Sequence, residues 1–145
     1  MCLTDPANKM SKSAPEGCVF LMEKPEDIAR KFKRAVTDSD TERCVRYAPE
    51  EKPGVSNLMN IYSAVTGKSM EEIEQEFDGK GYGAFKPAVG EAVIELLRPI
   101  REETERILAD KAYLESVYKN GAERAGYVAE KTLRKVYKKV GFIPR

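Results

Sequence analysis

Apolar residues in this chain recur at steps of three and four over most of its length. Period-two alternation of useful length is absent, so the pattern predicts an all-α fold, a helical bundle of about five to six helices behind an extended N-terminal loop. Residues 1–18 hold Pro6, Pro15 and Gly17 among Lys, Ser and Asn without an apolar period, and read as that loop. Val19, Phe20 and Leu21 make only a short apolar turn or strand fragment. Pro25 suits a first helical turn, and Glu26 and Asp27 suit the positive end of a helix dipole; the helix they open should bury Ile28, Phe32, Ala35 and Val36.

Residues 37–54 form a loop-rich connection, with Asp38, Ser39, Asp40, Pro49, Pro53 and Gly54. The helical period returns at Val55 and runs through Leu58, Met59, Ile61, Tyr62 and Val65, with Gly67 placed for a left-handed cap. Ser69 and Glu72 match a capping box that starts a short, acidic-surfaced helix through Ile73 and Phe77. Gly79, Gly81 and Gly83 interrupt the pattern without a preceding strand, so they read as a helix connection rather than a phosphate cradle. A long helix follows on Val89, Val93, Leu96, Leu97, Ile100, Ile107 and Leu108, with a kink expected at Pro99. Asp110 is a plausible N-cap for a helix through Leu114 and Val117, ended by Asn120 and Gly121, and a last helix runs from about Ala122 to Gly141.

Composition narrows the chemistry more than it narrows the fold. At 145 residues the chain has the size of one domain. With 25 basic and 24 acidic residues, any basic face must be local. Cys2, Cys18 and Cys44 are odd in number and never spaced as C-x-x-C, which argues for reduced thiols rather than a disulfide framework or a zinc knuckle. Histidine is absent, which removes Ser-His and Cys-His nucleophiles and most zinc sites; no metal site is expected, and lysines, carboxylates and backbone donors remain. No apolar run has membrane-spanning length and no leader pattern opens the chain, so no membrane partner and a cytoplasmic location are expected.

The sharpest chemical signal is the string Lys9, Met10, Ser11, Lys12 and Ser13, preceded by Asp5 and Pro6. Two ammonium groups and two hydroxyls on a loop can follow a triphosphate as charge moves onto departing pyrophosphate. Contacts formed only on loop closure act on the transition state more than on ground-state binding. A solvated Lys/Ser tail is an equally good reading of the pentapeptide taken by itself.

Context decides between the two. K-M-S-K-S is the second signature of class I aminoacyl-tRNA synthetases, and the remainder of the chain resembles their tryptophanyl family of bacterial type. The matching stretches are R-A-V-T-D-S (34–39), K-P-G-V-S-N-L (52–58), I-Y-S (61–63), G-K-G-Y-G-x-F-K (79–86), G-A-E-R-A (121–125) and V-G-F (140–142). Of these, K-P-G-V-S-N-L and G-A-E-R-A favour the tryptophanyl over the related tyrosyl branch. Ala14 and Pro15 stand where the family often has an acid after the signature, which sets this loop apart from that pattern.

The resemblance implies that residues 1–24 are a signature loop and link from a Rossmann catalytic domain, and residues 25–145 a helical tRNA anticodon-binding domain. It implies a parent ligase that joins tryptophan to its tRNA through an ATP-derived adenylate. By the same match Lys12 would be the catalytic, pyrophosphate-stabilising residue. Lys9, Ser11 and Ser13 would assist at the phosphates, and Met10 would pack the loop down. ATP would be a substrate, with magnesium in the full-length enzyme, and the partners would be tryptophan tRNA and an N-terminal catalytic domain not contained here. The full-length protein would be a homodimer through that domain, leaving this segment free to be monomeric and, by itself, inactive. A freestanding helical RNA-binding or interaction module that retains the loop is the alternative.

For RNA contact, Arg124, Lys131, Arg134, Lys135, Lys138 and Lys139 form the candidate basic face near the C-terminus. A solvated helix surface is the blander account of each, and Tyr113, Tyr118 and Tyr137 are expected to be half-buried core. A second cluster, Arg30, Lys31, Lys33 and Arg34, reads first as helix solubility.

Overall fold

The computed structural model describes residues 1–40 and 45–143. Its elements, in chain order, are a 3₁₀ turn at Pro15–Gly17 and the helices α1 (Pro25–Arg34), α2 (Pro53–Thr66), α3 (Met70–Glu76), α4 (Tyr82–Ala109) and α5 (Lys111–Val140). No strand occurs among the described residues, so the all-α expectation holds. The chain clusters into two compact units, Met1–Arg101 and Glu102–Arg145.

In the first unit the local signals act as their chemistry requires. Pro25 opens α1, with Glu26 and Asp27 in its first turn and Lys31, Lys33 and Arg34 in its last, complementing the dipole at both ends. Gly67 caps α2 at φ 76°, a left-handed conformation that costs glycine nothing. The Ser69 hydroxyl accepts from the Glu72 N–H at 3.2 Å, and the Glu72 carboxylate accepts from the Ser69 N–H at 2.8 Å, completing the capping box.

The core of this unit takes Ile28 and Phe32 from α1, Val55, Leu58, Met59 and Tyr62 from α2, Ile73 from α3, and Phe85 and Val89 from α4. Tyr62, Phe77 and Phe85 meet edge to face at centroid separations of 5.0–6.3 Å, the arrangement favoured by ring quadrupoles. Glycine permits the close approach of α4 to α1: a Cβ on Gly90 would lie 3.1 Å from Phe32 Cβ.

Several expectations are corrected here. Val36 is exposed and lies beyond α1, because its N–H bonds to the Leu3 carbonyl instead of continuing the helix. On α4 the line Val89, Val93 and Leu97 is buried, whereas Leu96, Ile100 and Leu108 are exposed. Pro99, the position expected to kink the helix, lies inside α4. Of the turn or strand fragment expected at Val19–Leu21, the turn forms: the Glu23 N–H donates to the Phe20 carbonyl at 3.1 Å. Cys2 and Cys18 are free and buried; Cys44 lies outside the described residues.

The second unit contains the largest departure. Asn120 and Gly121 do not end a helix: α5 runs unbroken through 30 residues, and Gly121 lacks the positive φ of a left-handed cap. A glycine followed by strong helix formers is tolerated at a cost of about 1 kcal/mol relative to alanine, and here the flanking turns carry it. Asp110 does cap α5, its carboxylate accepting from the Tyr113 N–H at 2.9 Å. The left-handed stop falls at Gly141, φ 73°.

Candidate functional site

The loop before α1 is tied at both ends. The Leu3 N–H donates to the Gly17 carbonyl at 2.9 Å, the Cys2 N–H to the Asn8 carbonyl at 2.8 Å, and the Val36 N–H to the Leu3 carbonyl at 2.8 Å. Asn57 of α2 donates through Nδ2 to the Met1 and Cys2 carbonyls at 3.3 and 3.2 Å, so the N of K-P-G-V-S-N-L holds down the start of the loop. Glycine is needed at position 17 because a Cβ there would lie 2.1 Å from Cys2 Sγ.

Two tight turns shape the segment between these ties. Asp5 closes the first, its backbone carbonyl accepting from the Asn8 N–H and its carboxylate from the Ala7 N–H and Asn8 Nδ2. The second runs from Ser11 to Ala14: the Ala14 N–H donates to the Ser11 carbonyl at 3.0 Å and the Ser13 N–H to Ser11 Oγ at 3.3 Å. Lys12 and Ser13 are its corner residues. Lys9, Ser11, Lys12 and Ser13 are exposed, and Met10 packs partly buried against the core. Neither Lys9 nor Lys12 makes an ion pair among the described residues.

Where the chain returns from the loop, Lys31 does more than keep α1 soluble. It is largely buried, donates to the Cys18 carbonyl at 2.7 Å, pairs with Glu23 at 2.5 Å and lies 5.3 Å from the Phe20 ring centroid. Arg30 is paired with Asp27, and Lys33 and Arg34 remain exposed.

A polar cluster that residue types alone did not single out joins three of the matched stretches. Tyr82 donates its hydroxyl to Asp38 Oδ1 at 2.7 Å. Lys52 Nζ reaches Asp38 Oδ1 at 3.2 Å, Asp40 Oδ2 at 2.9 Å and the Tyr82 oxygen at 3.3 Å. Only 5 % of Lys52 is exposed, unusually little for a lysine. Burial would lower its ammonium, yet the bonds to Asp40, Tyr82 and Asp38 raise it above the ordinary lysine value. For Asp38, burial pushes the carboxyl up, and the Tyr82 hydroxyl, the Asp40 N–H and Lys52 together outweigh it and hold it below the usual carboxylate range. Burial and the Asp38 carboxylate both push the Tyr82 phenol up. The cluster thus holds a carboxylate, an ammonium and a protonated phenol across neutral pH. Gly54, next to it, presses on backbone: a Cβ would lie 2.2 Å from the Val36 carbonyl oxygen. The sequence signal was present as D-S, K-P-G and G-Y-G, but three separated segments meet only in the fold.

On α5, the six candidate cations Arg124, Lys131, Arg134, Lys135, Lys138 and Lys139 are all exposed. At about 100° per residue, Arg124, Tyr127, Lys131, Arg134 and Lys138 follow one another at steps of three and four and share a stripe about 80° wide. Tyr127, which the sequence reading did not single out, is 72 % exposed in that stripe. Tyr113 and Tyr118 are exposed rather than half-buried, since α5 has no buried residue. Tyr137 is half-buried, against the Phe142 ring at 5.9 Å. Arg134 is paired with Glu130 at 3.2 Å, whereas Lys131, Lys135, Lys138 and Lys139 have no ion pair among the described residues.

Among the described residues no helix is long and apolar enough to cross a membrane. No group of three or more His, Cys, Asp or Glu side chains that could hold a metal ion occurs among them either.

Comparison with known proteins gives a consistent result. The pattern of the family described as tRNA synthetases class I (W and Y) matches residues 1–98. A tryptophan–tRNA ligase of Clostridium tetani is 51% identical over 145 residues, covering 99% of this chain and 42% of the relative. That of Clostridium perfringens is 49% identical over 147 residues, covering 100% of this chain and 43% of the relative. Among solved structures, a tryptophanyl-tRNA synthetase from Mycoplasma pneumoniae superposes with a TM-score of 0.69 at 29% identity, over 99% of this chain and 43% of that one. One from Campylobacter jejuni, complexed with ADP and tryptophane, gives 0.78 at 24% identity over 98% of this chain and 44% of that one, a likeness of fold. The chain therefore spans less than half the length of the relatives it matches. On the family match over residues 1–98, the chain belongs to the class I tRNA synthetases of the W and Y group.

Proposed function

We propose that the chain is the loop-donating and tRNA-binding part of a tryptophan–tRNA ligase, working with a catalytic portion of the kind its longer relatives contain. The observation that carries this is the signature loop itself: closed at its base, seated through Met10, and presenting Lys9, Ser11, Lys12 and Ser13 to solvent. Side chains so held need no structural rearrangement of the domain to meet a triphosphate delivered from outside it. The 51% identity to a tryptophan–tRNA ligase along almost the whole chain supports the tryptophan reading.

In this reading Lys12, at the corner of its turn, stabilises charge that gathers on pyrophosphate as the tryptophan carboxylate attacks the ATP α-phosphorus. Lys9 binds the same phosphates, Ser11 and Ser13 donate to phosphate oxygens and fix the turn, and Met10 anchors the loop. Magnesium would arrive with ATP; among the described residues no group of three or more His, Cys, Asp or Glu side chains is placed to hold it. By role, residues 1–24 serve the nucleotide and residues 25–145 the RNA. The basic stripe on α5 supplies phosphate contacts. We place the working enzyme in the cytoplasm as a homodimer held through its catalytic portion, with this chain alone a monomer.

Binding of the purified chain to tryptophan tRNA and to a non-cognate tRNA at two salt concentrations tests the RNA part. A cognate preference that persists at the higher salt is expected. Equal affinities that vanish together with added salt would mean that only phosphates are touched, and would overturn anticodon recognition by this chain.

A further inference from the structure

The V-G-F stretch at the end of α5 builds a feature that the basic stripe does not account for. Gly141 adopts φ 73° and turns the chain back, so that the Gly141 and Phe142 N–H groups both donate to the Tyr137 carbonyl, Phe142 at 3.0 Å. This closing turn lays the Phe142 ring against Tyr137 at 5.9 Å and 77°. Beside the rings is a cleft of about 790 Å³, lined by Glu130, Leu133, Arg134, Tyr137, Lys138 and Phe142. Phe142 remains 65 % exposed, so the ring contact leaves most of its surface free.

The charges around the cleft select its occupant. Its one lining carboxylate, Glu130, is engaged by Arg134, and Lys131, Lys135, Lys138 and Lys139 on the adjoining turns have no ion pair among the described residues. The carbonyls at the end of α5 carry the negative end of its dipole, which disfavours a phosphate inside the cleft and suits the exocyclic amine of a base. A base in the cleft with its phosphates along Lys138, Arg134 and Lys131 satisfies both conditions. An aromatic platform beside cations is the arrangement by which single-stranded nucleic acid is held.

We propose that this cleft takes one unpaired nucleobase of a bound RNA, stacked on Phe142 and bordered by Tyr137 and Leu133. The proposal rests on the reading of the chain as tRNA-binding and adds the site at which an unpaired base is held.

The test uses the full chain and two fluorescein-labelled probes, a seven-nucleotide single-stranded RNA and a blunt RNA duplex of the same length. Phe142→Ala is expected to weaken the single strand about tenfold, a typical loss for one stacked base, and the duplex less than twofold. Phe142→Trp should retain single-strand affinity and, as the only tryptophan in the chain, lose emission when that RNA binds. Unchanged single-strand affinity in Phe142→Ala overturns the proposal. So does a drop in melting temperature without any change in the single-strand to duplex ratio, which would assign the cleft to a protein surface. If the chain holds the single strand through Phe142 but shows no tRNA selectivity, the cleft stands and the anticodon reading fails.

Discussion

At the residue scale, the Asp38–Lys52–Tyr82 cluster shows how identity and position divide the work. Each residue type is ordinary in a loop, and only their convergence buries a lysine behind two carboxylates. Removing the phenol oxygen in Tyr82→Phe deletes a hydrogen bond to a charged acceptor, so a loss of roughly 1–3 kcal/mol is expected in urea unfolding. A Tyr82→Phe protein as stable as the parent would show that the bond contributes nothing net.

The same cluster sets a pH window. Asp38 titrates below its ordinary value in the folded chain, so the unfolded chain binds more protons as pH falls through about 4, and the contribution of Asp38 disappears through its folded value. Lys52 titrates above its ordinary value, so its contribution is complete below about 10 and fades only as pH rises through the folded value. Melting temperature measured from pH 3 to pH 11 should therefore fall at both ends, and Asp38→Asn should flatten the acid limb. An acid limb identical in parent and variant would remove Asp38 from the account.

At the scale of elements, most boundaries follow from local chemistry. Pro25, the Ser69–Glu72 box, Gly67 and Asp110 each act within one turn of where they stand, and a signal of that range can be read from neighbouring residues. Gly121 shows the limit of such reading, because Asn-Gly is permissive of a cap without requiring one. The fold keeps Gly121 helical and leaves open space where a Cβ would go. Gly121→Ala should therefore stabilise α5 by about 0.5–1 kcal/mol, seen as higher helicity and melting temperature by circular dichroism. A destabilised variant would restore the two-helix reading, since alanine is strained at a left-handed cap.

At the scale of the whole molecule, the chain spans less than half the length of the relatives it matches, and the proposed function makes it a contributor to a larger enzyme. The purified chain is expected to give no ATP–pyrophosphate exchange, and clear exchange would show that activation needs no other portion. Replacing the corresponding segment of the Clostridium tetani ligase with this chain should preserve aminoacylation. In that chimera Lys12→Gln should lower the activation rate about 10²–10³-fold with a smaller change in tryptophan KM, as expected for charge stabilisation concentrated in the transition state. A chimera indifferent to Lys12→Gln would take that residue out of the chemistry.

The sequence by itself determined the helical class, the caps at Pro25, Gly67, Ser69 and Asp110, the signature loop and the family, because each depends on residues adjacent in the chain or at helical spacing. Only the tertiary structure decided that Asn57 ties down the loop's first residues, that Lys31 donates to the Cys18 carbonyl, and that Asp38, Lys52 and Tyr82 meet. It also decided which side of α4 is buried and which rings of α5 stay exposed. These outcomes depend on contacts between segments up to about 56 residues apart, and a contact of that kind has no periodic trace in either segment.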